Sequence, residues 1–442
     1  MEIRLSDHFT YRKLIHFTLP SVIMMIFTSL YSVVDGFFVS NFVGKTPFAA
    51  VNFIFPFLMM LGPIGFLFGT GGSAVIGRLF GEGKEKEARG IFSMLVYITI
   101  GLSLVITAFG ILFLPQIASL LGAEGELLEN SVLYGRIILC SLPFLILQFE
   151  FQAFFVTAER PKLGLLSTLV AGGVNMVLDF LLIAVFPFGL VGAALATALG
   201  QVAGGLFPLV YFSSKNKSLL RLSRPVWDLR ALLKTITNGS SELVSHISMS
   251  LVGMLYNVQL LRLAGENGVA AYGVLMYVNF IFVSAFIGYS TGIAPVVSYH
   301  FGAKNREELH SLYQKSLTVI LTLAVSIFAR SEVLANALSL AFVSYDPELL
   351  EMTVHAFRLY SFSYLFAGMG IFGSAFFTAL GDGLTSAALS FLRTLVLQVI
   401  CIFLLPLAFG LNGIWLSDAV AGGLVLILTV VILLAKRKKY GY

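Results

Sequence analysis

The chain has 442 residues, of which 58% are hydrophobic and 12% charged, and its mean hydropathy is +0.92. Soluble domains carry about 25% charged residues, so this chain cannot coat a water-exposed surface, which excludes a soluble enzyme, a disordered chain and a disulfide scaffold. The net charge of +5 does not call for nucleic acid, because cytoplasmic loops of membrane proteins collect Lys and Arg.

A membrane-crossing helix needs about 20 apolar residues. In chain order the apolar runs predict twelve spans, at 14–39, 48–77, 91–114, 131–156, 164–186, 190–213, 236–261, 270–299, 312–340, 353–379, 384–408 and 411–435. Helix-ending residues punctuate the breaks: Gly-Lys-Thr-Pro at 44–47, Arg160-Pro161, Pro187-Phe188-Gly189 and Phe409-Gly410-Leu411. Every run exceeds a barrel strand and none alternates with period two, so all read as helices. The first run is too long for a signal-peptide core and contains Asp35, so no cleaved leader is expected. Cys140 and Cys401 lie in apolar runs and read as small core residues, not a disulfide or metal pair.

Charge orients the spans. With both termini cytoplasmic, all of the 28 basic residues fall on inside segments except Lys45, Arg136, Arg262, Arg330, Arg358 and Arg393. The connection 214–235 holds Lys215, Lys217, Arg221, Arg224, Arg230 and Lys234, and reads as a cytoplasmic linker between halves 1–213 and 236–442. The halves repeat at an offset of about 221 residues. Thr70-Gly71 falls on Thr291-Gly292, Phe80-Gly81 on Phe301-Gly302, Thr157-Ala158 on Thr378-Ala379, and Phe188-Gly189-Leu190 on Phe409-Gly410-Leu411. An even number of spans per copy makes both copies enter from the same side. The expected fold is therefore an all-α integral membrane protein. Its 12 transmembrane helices form two six-helix lobes related by a pseudo-twofold axis along the membrane normal. That is transporter architecture.

Ionisable groups inside a bilayer cost roughly 2.5–3.5 kcal/mol even on mild scales, so function is sought there. Asp35, Asn175, Asp179 and Thr197 are the leading cluster. Asn175 and Asp179 are i and i+4 on one helix face, and counting rise per residue puts Asp35, Asp179 and Thr197 in the outer half of the membrane. Two carboxylates meeting there must share a proton or a cation, and Asn and Thr oxygens suit Na⁺ or a protonated acid. A plain polar knot of the scaffold should occur in both halves. This one occurs once: the offset puts Tyr256, Val396, Ile400 and Asp418 at the corresponding positions. A substrate cavity is expected around Glu150 and its neighbours Gln148 and Gln152, with Tyr256 and Asn257 from the second half. Glu242, near an inner helix end, reads as an interfacial acid reaching water, and Arg393 needs a partner. Gly62, Gly65, Gly69, Gly71, Gly72 and Gly77 in the second span predict close helix packing. No phosphate loop and no zinc-protease His pair is present.

An ordered set of motifs resembles the MATE (multidrug and toxic compound extrusion) family along essentially the whole chain. It comprises Leu19-Pro20 with Asp35, Phe80-Gly81-Glu82-Gly83-Lys84, Asn175 with Asp179, Gly192 to Thr197, Gly292-Ile-Ala-Pro295, and Phe301-Gly302-Ala303-Lys304. Glu150 resembles the acid of the bacterial MepA-like branch. The resemblance implies a multi-pass protein of the bacterial inner membrane, acting as a monomer without a cofactor. It would export amphipathic, often cationic compounds against inward flow of H⁺ or Na⁺, with coupling on Asp35, Asn175, Asp179 and Thr197. The span 353–379 contains no Asp or Glu, which departs from members that couple there. A flippase for a lipid-linked cell-wall or polysaccharide precursor is the alternative; Arg393 is the only basic residue deep in a span, against the basic cavity such a substrate needs.

Overall fold

The computed structural model describes residues 3–43, 45–344 and 346–442; Gly44, first residue of the break predicted at 44–47, lies outside them. Among the described residues every regular element is helical. We label the twelve spans α1 (Tyr11–Phe42), α2 (Lys45–Met59 and Ile64–Gly81), α3 (Glu85–Leu120), α4 (Gly125–Thr157), α5 (Pro161–Val185) and α6 (Gly189–Ser213), then α7 (229–264), α8 (266–302), α9 (Arg306–Val343), α10 (Pro347–Ser361 with Tyr364–Ala379), α11 (Gly383–Phe409) and α12 (Leu411–Tyr440). The two parts of α10 meet at a bend of 48°.

The largest departure from the predicted elements lies between α7 and α8. A loop was expected at 262–269, yet helix runs from Leu229 to Gly302, interrupted at Gly265 with φ 62° and ψ −152°. One residue at positive φ reverses the chain, and only Gly adopts that conformation without strain. The linker is also shorter than 214–235, since helix resumes at Leu229, where the Asp228 carboxylate accepts from the Arg230 amide at 2.8 Å. Its extended part is pinned to α3: the Val226 amide donates to the Gly90 carbonyl at 3.1 Å and the Ser223 amide to Ser93 Oγ at 2.9 Å. Cys401 is buried as expected, but Cys140 is exposed, on a face of α4 that points out of the lobe core.

The glycine-rich second span packs as its composition predicts. Gly65 lies against the α4 backbone, where a Cβ would stand 2.1 Å from the Ile146 carbonyl oxygen. Further along α2 the contacts cross between the halves. A Cβ on Gly71 would stand 2.1 Å from the Thr235 carbonyl oxygen of α7, and one on Gly81 2.0 Å from the Tyr299 carbonyl oxygen of α8. Backbones meet directly, which larger residues would prevent. The arrangement is reciprocal: Gly302 of α8 faces the Arg78 carbonyl, and the Arg78 guanidinium lies 5.7 Å from the Phe301 ring centroid.

The chain start crosses the same seam. The Leu5 amide donates to Glu159 Oε1 at 2.5 Å in the first half. The Phe9 amide donates to Glu308 Oε1 at 2.8 Å, and His8 Nδ1 pairs with Glu308 Oε2 at 2.5 Å, in the second half. All these contacts lie on the face that carries the basic loops, so the cytoplasmic side is closed.

Candidate functional site

Three helices of the first half bring the leading cluster together. Asn175 Nδ2 donates to Asp35 Oδ1 at 3.3 Å, and Thr197 Oγ1 donates to the same oxygen at 3.2 Å. The Asp179 carboxyl faces the Asp35 carboxyl, and both of its oxygens are buried without a donor, as is Asn175 Oδ1. Asp179 is fully buried and Asn175 nearly so, while Asp35 is half-buried. The pair is therefore layered: Asp35 stands at the accessible edge and Asp179 behind it.

Depth explains the meeting. Asp35, Asp179 and Thr197 lie about seven, six and eight residues from the outer ends of α1, α5 and α6, or roughly 9–12 Å at 1.5 Å per residue. Close helix approach does the rest. A Cβ on Gly200 of α6 would stand 2.8 Å from Asn175 Cβ and 3.0 Å from the Ala171 carbonyl oxygen. With hydrogen there instead, α6 settles on α5 one turn from Thr197. Directly after Asp179 the helix widens into a π-helical turn at Phe180–Val185, a feature that recurs at functional sites.

Two residues of this site were not singled out in the sequence. Tyr134 of α4 is buried with its hydroxyl beside Thr197, and Tyr31, one turn before Asp35 on α1, closes another side. The signal was available: Tyr134 lies about nine residues inside the outer end of α4, at the depth of the acids.

The predicted substrate cavity does not form one surface in this conformation. Gln148 and Gln152 share a face of α4, and Glu150, two residues from each, points elsewhere. Gln148 Oε1 occupies the space beside Gly204 of α6, and Gln152 Nε2 donates to Thr168 Oγ1 of α5 at 3.4 Å. Glu150 is fully buried towards Thr99 of α3, without a hydrogen bond to either carboxyl oxygen. Tyr256 is also buried, stacked on Tyr272 at 4.8 Å, and its hydroxyl donates to Gln398 Oε1 at 3.4 Å. Of the predicted set Asn257 alone is exposed.

The second half has a polar centre of its own. Gln398 Nε2 donates to Asp418 Oδ1, and the hydroxyl groups of Tyr256, Tyr272, Tyr360 and Tyr364 surround that carboxylate. Arg393, whose partner was unknown, has Nη2 3.5 Å from Ser245 Oγ of α7, and its charge acts on Glu242 of α7 and Asp418 of α12 without an ion pair to either among the described residues. Glu242, expected as an acid reaching for water, is partly exposed near the cytoplasmic end of α7, within electrostatic reach of Arg393. Among the described residues no group of three or more His, Cys, Asp or Glu could hold a metal ion. An ion at Asp35 and Asp179 would be held by two carboxyls together with amide and hydroxyl oxygens.

The MatE family profile matches the chain twice, over residues 20–181 and again over 243–404, which is the duplication seen in the repeated motifs. The multidrug export protein MepA of Staphylococcus haemolyticus (strain JCSC1435) is 27% identical over 434 residues, covering 97% of this chain and 94% of that protein. MepA of Staphylococcus aureus (strain MSSA476) is 24% identical with the same coverage. The outward-facing structure of a multidrug resistance MATE family transporter of the MOP superfamily superposes with a TM-score of 0.90 at 25% identity, over 98% of each chain. A crystal structure of MATE in complex with MaL6 superposes with a TM-score of 0.91 at 23% identity, again over 98% of each chain.

Proposed function

The chain belongs to the MatE family of multidrug efflux transporters, and from that premise we propose that it is an antiporter that exports amphipathic, often cationic compounds, driven by inward flow of H⁺ or Na⁺. The observation that carries the reading is the facing pair of carboxyls, Asp35 and Asp179, with Asn175 and Thr197 both donating to Asp35. Two carboxylates in contact in a low-dielectric interior do not both stay ionised unless a cation lies between them. The site therefore takes up a proton or an ion at one stage of the cycle and releases it at another.

Asp35 receives the ion first, because it is the accessible member. Asp179 holds the second negative charge behind it, and its unpartnered oxygens supply the remaining acceptors. Asn175 and Thr197 fix the Asp35 carboxyl by donating to one oxygen, which leaves the other to bind. Filling the site removes the repulsion between α1 and α5 and lets the helices close on each other. In this reading that repacking lowers affinity for drug on the outer side and favours return of the ion-loaded, drug-free transporter to the inward-facing state. One elementary charge moving through 100 mV supplies about 2.3 kcal/mol, equivalent to roughly a 50-fold drug gradient. The lobes 1–213 and 236–442 are the moving bodies, and a single chain suffices.

Dye efflux from everted vesicles, measured under separate pH and Na⁺ gradients, tests the reading. Transport driven by one of the two gradients and lost in both Asp35→Asn and Asp179→Asn supports it. Unchanged ion-driven transport in both variants rejects it. Rescue of a strain lacking a lipid-precursor flippase, without dye efflux, would support the flippase instead.

A further inference from the structure

At the cytoplasmic ends of α7 and α11 lies a cavity of about 400 Å³ whose lining includes Arg230, Lys234, Gly381, Asp382, Gly383 and Leu384. Arg230 and Lys234 are i and i+4, so both cations stand on one face of α7. Both are exposed, and neither is in an ion pair among the described residues. The Lys234 side chain lies against the α10–α11 turn: a Cβ on Gly381 would be 3.8 Å from its Nζ. The turn supplies donors as well. Gly383 opens α11, where Asp382 Oδ1 accepts from the Thr385 amide at 3.4 Å and the amides of Gly383 and Leu384 have no acceptor within the helix. Gly383 packs its Cα directly on the α7 backbone, which brings this helix start to the two cations.

The one carboxylate in the lining is already neutralised. Lys436 Nζ donates to Asp382 Oδ2 at 2.6 Å and the Tyr440 hydroxyl donates to the same oxygen at 2.7 Å. The cavity therefore presents two unshared positive charges and a helix start. Its lining includes the exposed Leu233 and Leu384, 54% and 76% exposed, and Leu229, one turn before Leu233 on the same face of α7, is 68% exposed. Exposed leucines beside cations, at the end of a membrane span, are what a lipid with a charged headgroup and acyl chains meets. A free phosphate would have no use for those leucines.

We propose that this pocket binds the phosphate headgroup of an anionic phospholipid of the cytoplasmic leaflet, with the acyl chains against Leu229, Leu233 and Leu384. The site lies where the linker enters the second half. A lipid bound there fixes the start of α7 to the α10–α11 turn independently of the ion site.

The test is thermal unfolding of the purified full chain in detergent, titrated with short-chain phosphatidylglycerol, short-chain phosphatidylcholine or inorganic phosphate. The double variant Arg230→Gln/Lys234→Gln is compared with Arg221→Gln/Arg224→Gln, which loses the same charge on the linker. Stabilisation by phosphatidylglycerol but not by phosphatidylcholine, weakened about tenfold in apparent affinity by the pocket variant and not by the linker variant, supports the site; a surface cation contributes about that much per one or two charges. Charge-conserving Arg230→Lys/Lys234→Arg should retain it. Equal lipid response in the pocket and linker variants overturns the proposal. Equal stabilisation by inorganic phosphate overturns the lipid assignment and leaves a free-anion site.

Discussion

Asn175 and Asp35 are 140 residues apart in the chain, and the amide of one donates to the carboxylate of the other at 3.3 Å. Asn175 shares its helix face with Asp179, so this single bond also fixes how far the two carboxyls stand from each other. Thr197 holds the same Asp35 oxygen from a third helix. Three helices are thus tied to one oxygen atom, and any change in its charge is felt by all three.

Neutralising either acid removes the reason for an ion to bind. Asp35→Asn should abolish ion-driven dye efflux, a fall of at least about tenfold, because a 50-fold gradient rests on one charge per cycle. Asp179→Asn should do the same while leaving Asp35 with its two donors. If drug binding by the purified variants survives while uphill transport is lost, the defect is in coupling and not in folding. That comparison needs only equilibrium dye binding beside vesicle efflux.

The spacing of α5 and α6 is set at Gly200. A methyl group there would stand 2.8 Å from Asn175 Cβ, so Gly200→Ala must push the helices apart. Overpacking of this kind typically costs about 1–3 kcal/mol. The variant should lose several degrees of thermal stability in detergent. Its efflux should fall further than its expression, since both Asn175 and Thr197 shift from Asp35.

The meeting of Asp35, Asp179 and Thr197 was legible because depth along a helix is linear in residue number. The twelve spans were legible for a related reason, since bilayer thickness imposes a length that hydropathy reports. Facing is harder to read. Glu150 reads as a neighbour of Gln148 and Gln152 along the chain, yet the turn of the helix separates it from both. The acids that act on Arg393 could not be named because Glu242 and Asp418 lie on two other helices, about 150 and 25 residues away, and nothing local encodes that proximity. The α7–α8 turn was missed because one glycine does the work of a loop.

Arg393 is the nearby cation that acts on both Glu242 and Asp418, and removing it leaves these partly buried carboxyls without that charge. Partly exposed charges that are near each other but not ion-paired are coupled by about 0–1 kcal/mol. Arg393→Met should therefore destabilise mildly, and Arg393→Met/Asp418→Asn should recover part of the loss. Thermal unfolding of the two variants and of Asp418→Asn gives the coupling as a double-mutant cycle. Additive effects would mean that the two groups do not interact.

Asp382 gives stability a pH dependence with a definite sign. Burial would raise its carboxyl, but donors from Lys436, Tyr440 and Thr385 prevail and hold it at about 2, below the ordinary 3.8. A group lowered on folding stabilises above its unfolded value, and that contribution is lost as pH falls towards the folded value. Asp382→Asn should thus melt below the unaltered chain at pH 7 and at pH 5. The gap should narrow only below about pH 4. A gap that closes between pH 7 and pH 5 would assign the effect to another group.

Glu308 is the point where the chain start fastens onto the second half. Its side chain is 6% exposed and accepts from the Phe9 amide while pairing with His8. Leu5, four residues earlier, is bound to Glu159 of the first half. The segment between them is therefore under the control of both halves, and it can stay so only while the cytoplasmic side is closed. Hydrogen bonds to a charged group contribute about 1.5–3 kcal/mol each, and about 1.4 kcal/mol changes a population tenfold. Glu308→Ala should shift the transporter by about tenfold or more towards states open to the cytoplasm. Ser298, whose hydroxyl lies against Gly77 at the closed seam, reports the shift. A cysteine placed there, in a chain with Cys140→Ser and Cys401→Ser, should react with a cytoplasmic maleimide at least several-fold faster once Glu308 is removed. Equal rates with and without Glu308 would mean that the glycine-to-backbone contacts of α2 with α7 and α8 close this face unaided.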